Sequence, residues 1–119
     1  MTQQTILVVD DEKHIRMLYR EELEAAGFQV ATSDGTENIL AVIKRETPHL
    51  VILDIKLGID RSGLDLLQEI RQEDHDLPVI LSTAYDSFKH DMKSIAADHY
   101  VVKSVDLSVL KSKIKEALG

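Results

Sequence analysis

The chain has 119 residues, no cysteine and no tryptophan, with 44% hydrophobic and 29% charged residues. That length suits one domain over 1–119, and the apolar fraction is enough to offset chain entropy, which excludes disorder as the dominant state. A formal net charge of −7 disfavours non-specific binding to nucleic acid or to an anionic membrane, and the missing cysteines exclude disulfides, cysteine-ligated zinc and thiol catalysis.

No stretch approaches the roughly 18 consecutive apolar residues that a membrane span needs. Met1-Thr2-Gln3-Gln4 lacks the basic region of a signal peptide. The expectation is a soluble, cytoplasmic chain. Its excess carboxylates are either plain surface charge or gathered somewhere useful, and their placement along the chain decides between the two.

Thr5-Ile6-Leu7-Val8-Val9 is an apolar run without alternation, the pattern of a strand buried on both faces. From Glu12 to Ala26 the residues Ile15, Leu18, Tyr19, Leu23 and Ala26 recur at helical spacing, and Gly27 stops the helix. Phe28 to Thr32 reads as a second strand. Thr36 to Arg45 carries Ile39, Leu40 and Ile43 and reads as a second helix, ended before Pro48. Leu50 to Leu53 is a third buried strand, followed by a loop over Ile55 to Ser62 and a helix with Leu64, Leu66, Leu67 and Ile70. Pro78 to Ser82 is a fourth strand, Ser87 to Ala97 a weaker helical segment, and His99 to Val102 a short fifth strand. Asp106 to Leu118 has Leu107, Leu110, Ile114 and Leu118 at helical spacing, with Asp106 or Ser104 as its cap.

Five strand–helix units in strict alternation predict an α/β fold: a five-stranded parallel sheet, doubly wound and flavodoxin-like, with strand order 2-1-3-4-5. Such sheets place their sites outside the carboxyl ends of the strands. Strand one ends in Asp10-Asp11, strand three in Asp54, strand four in Thr83 and strand five in Lys103. In the predicted order the three aspartates converge on one crevice, flanked by Thr83 and Lys103. Carboxylates so close repel one another, and a hard divalent ion such as Mg²⁺ relieves the repulsion through oxygen ligands. With a lysine and a hydroxyl added, the set suits phosphoryl transfer, one carboxylate serving as nucleophile. Taken singly, Asp10-Asp11 reads as a helix cap, Thr83 as a strand-end hydroxyl and Lys103 as a solvated charge. The conjunction carries the argument.

The blocks Ile6-Leu7-Val8-Val9-Asp10-Asp11-Glu12, Leu50-Val51-Ile52-Leu53-Asp54, Pro78-Val79-Ile80-Leu81-Ser82-Thr83-Ala84 and Tyr100-Val101-Val102-Lys103 together resemble the receiver domain of two-component response regulators, the CheY-like family. The resemblance runs from Ile6 to Leu118. It implies that Asp54 is the phosphoacceptor and that Asp10 and Asp11, with Asp54 and the backbone carbonyl of Lys56, bind Mg²⁺. It implies that Thr83 is the switch hydroxyl, Lys103 the lysine that pairs with the phosphoryl group, and Tyr100 the switch aromatic. The implied partners are a sensor histidine kinase or histidine phosphotransfer protein and an output protein or fused domain, with no direct nucleic-acid or membrane contact. In the family, the side chains two beyond the acceptor and two beyond the switch hydroxyl tune hydrolysis. Here these are Lys56 and Tyr85, both large, so slow autodephosphorylation is expected.

Three features depart from the family pattern. Ser104 follows Lys103 where proline commonly forms a cis peptide. Gly58 stands where the loop after the acceptor usually has proline, and the stretch Leu57 to Gly63 is one residue longer than the family's usual loop, with glycines that suggest a flexible cover. Thr83 to Lys103 is short, so the fourth helix is expected to be short or irregular. His14, His49, His75, His90 and His99 form no metal-like pair. A haloacid-dehalogenase-type phosphatase would need an aspartate where Lys56 stands. A flavodoxin-like electron carrier would need a phosphate loop where Asp10-Asp11-Glu12 stands. A phosphorylation-independent docking module on the same fold stays open. With the last helix closing the domain, the chain reads as a stand-alone receiver or as one cut from a longer regulator.

Overall fold

In the computed structural model the described residues are 3–57, 61–84, 97–103 and 106–119; of Arg61 only the backbone is described. In chain order they form β1 (Thr5–Val9), α1 (Lys13–Ala25), β2 (Gln29–Ser33), α2 (Ile39–Glu46), β3 (Leu50–Leu53), β4 (Lys56–Leu57), β5 (Arg61–Ser62), α3 (Gly63–Glu73), β6 (Val79–Thr83), β7 (His99–Val102) and α4 (Ser108–Leu118). The main sheet is five-stranded with order β2-β1-β3-β6-β7, and every neighbouring pair is parallel. This is the expected 2-1-3-4-5 arrangement, with β4 and β5 standing apart as a two-stranded antiparallel ribbon.

Parallel strands need crossovers, and the helices that make them cover both faces. Alternate strand residues therefore fill two separate cores. Leu7, Val9, Val51, Leu53, Val79 and Leu81 face α2 and α3, meeting Ile39, Val42, Leu66, Leu67 and Ile70. Ile6, Val8, Leu50, Ile52 and Ile80 face α1 and α4, meeting Tyr19, Leu23, Leu110 and Ile114. Each central strand is apolar throughout because both its faces are buried, which is why alternation is missing from the sequence.

The helix boundaries have local causes. Ala26 closes α1 through its N–H to the Glu22 and Leu23 carbonyls, and Gly27 turns the chain at φ +99°. The second helix begins at Ile39, later than expected from Thr36. Asn38 caps it by accepting the Ala41 N–H, while Asp34 holds Thr36 in a turn outside it. Thr47 ends α2 in the left-handed region at φ 45°, directly before Pro48. The last helix begins at Ser108 with Leu107 at its cap position and no side-chain cap bond, so Asp106, which accepts the Ser108 N–H at 2.9 Å, holds the turn before the helix instead of capping it; Ser104 lies outside the described residues.

The expected loop at Ile55 to Ser62 is replaced at its ends by the β4–β5 ribbon, which pairs Lys56 with Ser62 and Leu57 with Arg61. Gly58 and the fourth-helix segment from Ser87 to Ala96 lie outside the described residues, as do Tyr85, His90 and the peptide after Lys103. No cis peptide occurs among the described residues. No helix among them is long and apolar enough to cross a membrane.

Candidate functional site

The carboxyl ends of β1, β3, β6 and β7 meet at one edge of the sheet. Register places them there: Val9 pairs with Leu53, and Thr83 with Val102, so Asp10, Asp54 and Lys103 each follow a paired strand end. Backbone bonds extend the pairing past the strands. The Asp54 N–H donates to the Val9 carbonyl at 2.9 Å, the Asp10 N–H to the Ser33 carbonyl at 3.1 Å, and the Lys103 N–H to the Thr83 carbonyl at 2.7 Å.

Lys103 is the hub. Its Nζ lies 2.7 Å from Asp10 Oδ2, 3.0 Å from Asp54 Oδ2 and 3.6 Å from Glu12 Oε1. Asp10 and Asp54 are buried at 2% and 5% exposure, so the ammonium balances two carboxylates removed from water. The second oxygen of each aspartate meets backbone: Asp10 Oδ1 accepts the Glu12 N–H at 2.8 Å, and Asp54 Oδ1 accepts the Lys56 N–H at 3.4 Å. Burial pushes the Asp54 carboxyl up to about 6, with the Asp10 charge adding to the rise and Lys103 and the Lys56 N–H opposing it. Burial disfavours the Lys103 ammonium, but its hydrogen bonds to Asp10 and Asp54 together outweigh that and raise its pKa above the ordinary lysine range.

Thr83 is fully buried at the end of β6. Tyr100 is half-buried and packs on the core beside α2 and α3. Lys56 is exposed on the β4–β5 ribbon. Asp11 is exposed, and one of its carboxylate oxygens lies within 4.8 Å of one oxygen each from Asp10 and Glu12. Sequence reasoning quoted Glu12 in the first motif but gave it no role in the site; the run of three consecutive acids was the available signal. The donors suit a hard cation: carboxylate oxygens clustered at one spot, with no sulfur or imidazole among them.

Gly63 was also misread. The glycines after Asp54 suggested a flexible cover, yet Gly63 starts α3 and lies directly behind Asp54. A Cβ there would collide with the Asp54 carbonyl, and the Gly63 N–H donates to Ile55. Only a glycine permits that approach. Ser62 caps the same helix through the Leu64 N–H. None of the described histidines takes part in a metal-like cluster.

Residues 6–115 match the family model described as the response regulator receiver domain. The chain belongs to this family. Among solved structures, the response regulator TrrA of Thermotoga maritima in complex with Mg²⁺ and BeF is 43% identical, with TM-score 0.92, covering 98% of this chain and 100% of that one. TrrA has also been solved in complex with the histidine kinase ThkA, and there its likeness to this receiver has TM-score 0.85. The sporulation initiation phosphotransferase F of Bacillus subtilis is 30% identical over 121 residues, covering 99% of this chain and 96% of that protein. The probable transcriptional regulatory protein TcrX of Mycobacterium tuberculosis is 33% identical over 116 residues, which is 96% of this chain but 49% of TcrX. The receiver spans about half the length of the first curated relatives it matches.

Proposed function

We propose that residues 1–119 form one receiver unit in which Asp54 accepts a phosphoryl group from a phosphohistidine on a sensor histidine kinase or histidine phosphotransfer protein. The observation that carries this reading is the buried Asp54 carboxylate with the Lys103 ammonium 3.0 Å from its Oδ2. One Asp54 oxygen attacks phosphorus, an O–P bond forms, and the P–N bond to the histidine breaks. Lys103 moves from balancing Asp10 and Asp54 to balancing phosphoryl oxygens, and the Thr83 hydroxyl donates a hydrogen bond to one of them. Asp10, Asp11 and Asp54, with the Lys56 carbonyl, would hold Mg²⁺. Bound there, the ion neutralises charge on the phosphoryl oxygens. Glu12 adds a further carboxylate to this cluster.

The product adds about −1.5 to −2 charges and three strong acceptors at the sheet edge. Thr83 and Tyr100 pass that change to the surface, where an output protein or fused domain reads it. A cytoplasmic setting suits this exchange with a kinase, and the net charge of −7 fits a unit with no nucleic-acid or membrane contact of its own.

The reading is tested by incubation with a small phosphodonor and Mg²⁺ followed by intact mass. The wild type gains one labile phosphoryl group and Asp54→Asn gains none. A wild type that gains none from any donor would leave the phosphorylation-independent docking module in its place. Lys56 and Tyr85 are large residues at the two positions that tune hydrolysis in the family, so acyl-phosphate decay is slow and accelerates in Lys56→Ala and Tyr85→Ala. Unchanged decay in both variants removes them from the role.

A further inference from the structure

Among the described residues, the core layer between the sheet and α1 and α4 holds one hydrogen-bonded pair of buried hydroxyls. The Tyr19 and Ser82 hydroxyls hydrogen bond each other at 2.9 Å, with the two residues 2% and 1% exposed. Around them lie Ile6, Val8, Ile52 and Ile80. Burial raises the Tyr19 phenol above the usual tyrosine range, and the charges of Lys103, Asp10 and Asp54 reach it from the sheet edge.

Stability alone does not call for this pair. Two apolar side chains of the same shape would fill the layer with no hydroxyls to satisfy, and such replacements are often neutral or stabilising. What the pair adds is direction. It joins α1, which follows the acids Asp10 and Asp11, to β6 at the residue directly before Thr83. Ser82 and Thr83 point to opposite faces of the strand. A bond that holds Ser82 from the α1 side therefore fixes the backbone from which the Thr83 side chain works, and Lys103 is docked by its N–H to that same Thr83 carbonyl.

We propose that Tyr19 is a positioning residue for phosphoryl acceptance: through Ser82 it holds the end of β6 so that Thr83 and Lys103 meet the phosphoryl group in register. The proposal rests on the acceptor reading of Asp54, and it adds a residue outside the site that sets the site's geometry.

The test compares the wild type, Tyr19→Phe, Ser82→Ala and the double variant in three measurements: thermal unfolding, Mg²⁺ binding, and saturation with Mg²⁺ plus beryllofluoride, which stands in for the phosphoryl group. Each single variant loses stability because it leaves one buried hydroxyl without its partner, and the double variant regains most of that loss. Mg²⁺ affinity stays at the wild-type value in all of them. Beryllofluoride saturation weakens roughly threefold to tenfold in the double variant despite its recovered stability, the loss expected for one net hydrogen bond. A folded double variant that saturates like the wild type overturns the proposal and reduces the pair to packing. Should the double variant not fold, Tyr19→Phe, which keeps the ring, decides: weakened beryllofluoride saturation at unchanged Mg²⁺ affinity supports positioning, and parallel loss of both overturns it. A wild type that takes up no beryllofluoride overturns the acceptor reading and this proposal with it.

Discussion

Asp54 is a carboxylate that burial removes from water, and that burial pushes its carboxyl up. Its folded pKa is about 6 against an ordinary 3.8. The folded state therefore keeps a proton that the unfolded state has lost between about pH 4 and pH 6. Stability falls as pH rises through that window and stays lower above it. The gap corresponds to about 3 kcal/mol. In the presence of a chelator, Asp54→Asn is expected to raise the unfolding midpoint near pH 7, with the gain fading as the pH falls below the ordinary carboxyl value of 3.8, where the wild-type carboxyl becomes protonated in both states. Equal midpoints near pH 7 would show that Lys103 offsets the burial of Asp54 completely. Position and residue type made Asp54 legible in the sequence, as an acid ending an apolar strand. The ammonium shared between Asp10 and Asp54 was not legible, because the distances of 2.7 and 3.0 Å depend on a side-chain path that strand order does not specify.

Among the elements, the β4–β5 ribbon and the start of α3 set the backbone around the acceptor. The ribbon ties Lys56 to Ser62, and Ser62 caps the helix whose first residue, Gly63, lies against the Asp54 carbonyl. Gly63→Ala forces either the helix or the Asp54 backbone to move. The expected cost is about 1–3 kcal/mol in urea unfolding, with phosphorylation of Asp54 impaired at temperatures where the variant remains folded. Wild-type stability in Gly63→Ala would show that the helix start yields without strain. Periodicity found the helices on both sides of the sheet, since each buries one apolar stripe. It could not find a two-residue ribbon, whose pairing is a matter of backbone geometry. It also read Gly63 as freedom where the fold uses it for close approach; a lone glycine in sequence carries both meanings.

At the scale of the whole molecule, the carboxyl edge gathers negative charge from β1 and β3 with one ammonium to balance the buried pair. A cation that binds this edge binds the folded state alone, because the acids come from strands more than forty residues apart in sequence (Asp10 and Asp54). Mg²⁺ is therefore expected to raise the unfolding midpoint with concentration. At about a hundredfold its Kd the stabilisation is about 2.7 kcal/mol. Asp10→Asn and Asp11→Asn should lose the concentration dependence, measured by thermal unfolding across a Mg²⁺ series. A midpoint that ignores Mg²⁺ in the wild type would count against the metal role of these acids.

The sequence by itself determined the strands of the main sheet and the described helices, the order of the sheet and the acids, hydroxyl and lysine at its carboxyl edge. Those follow from local rules: apolar runs for strands buried on both faces, helical spacing for the layers, and polar residues where buried strands end. The tertiary structure alone decided that Lys103 bridges Asp10 and Asp54, that Glu12 joins the acidic cluster, that Gly63 lies against the Asp54 carbonyl and that Tyr19 reaches Ser82. Each of these contacts is made by side chains or backbone brought together through sheet register and helix packing. Hydrophobic pattern specifies which face of an element is buried, and leaves open which atoms meet there.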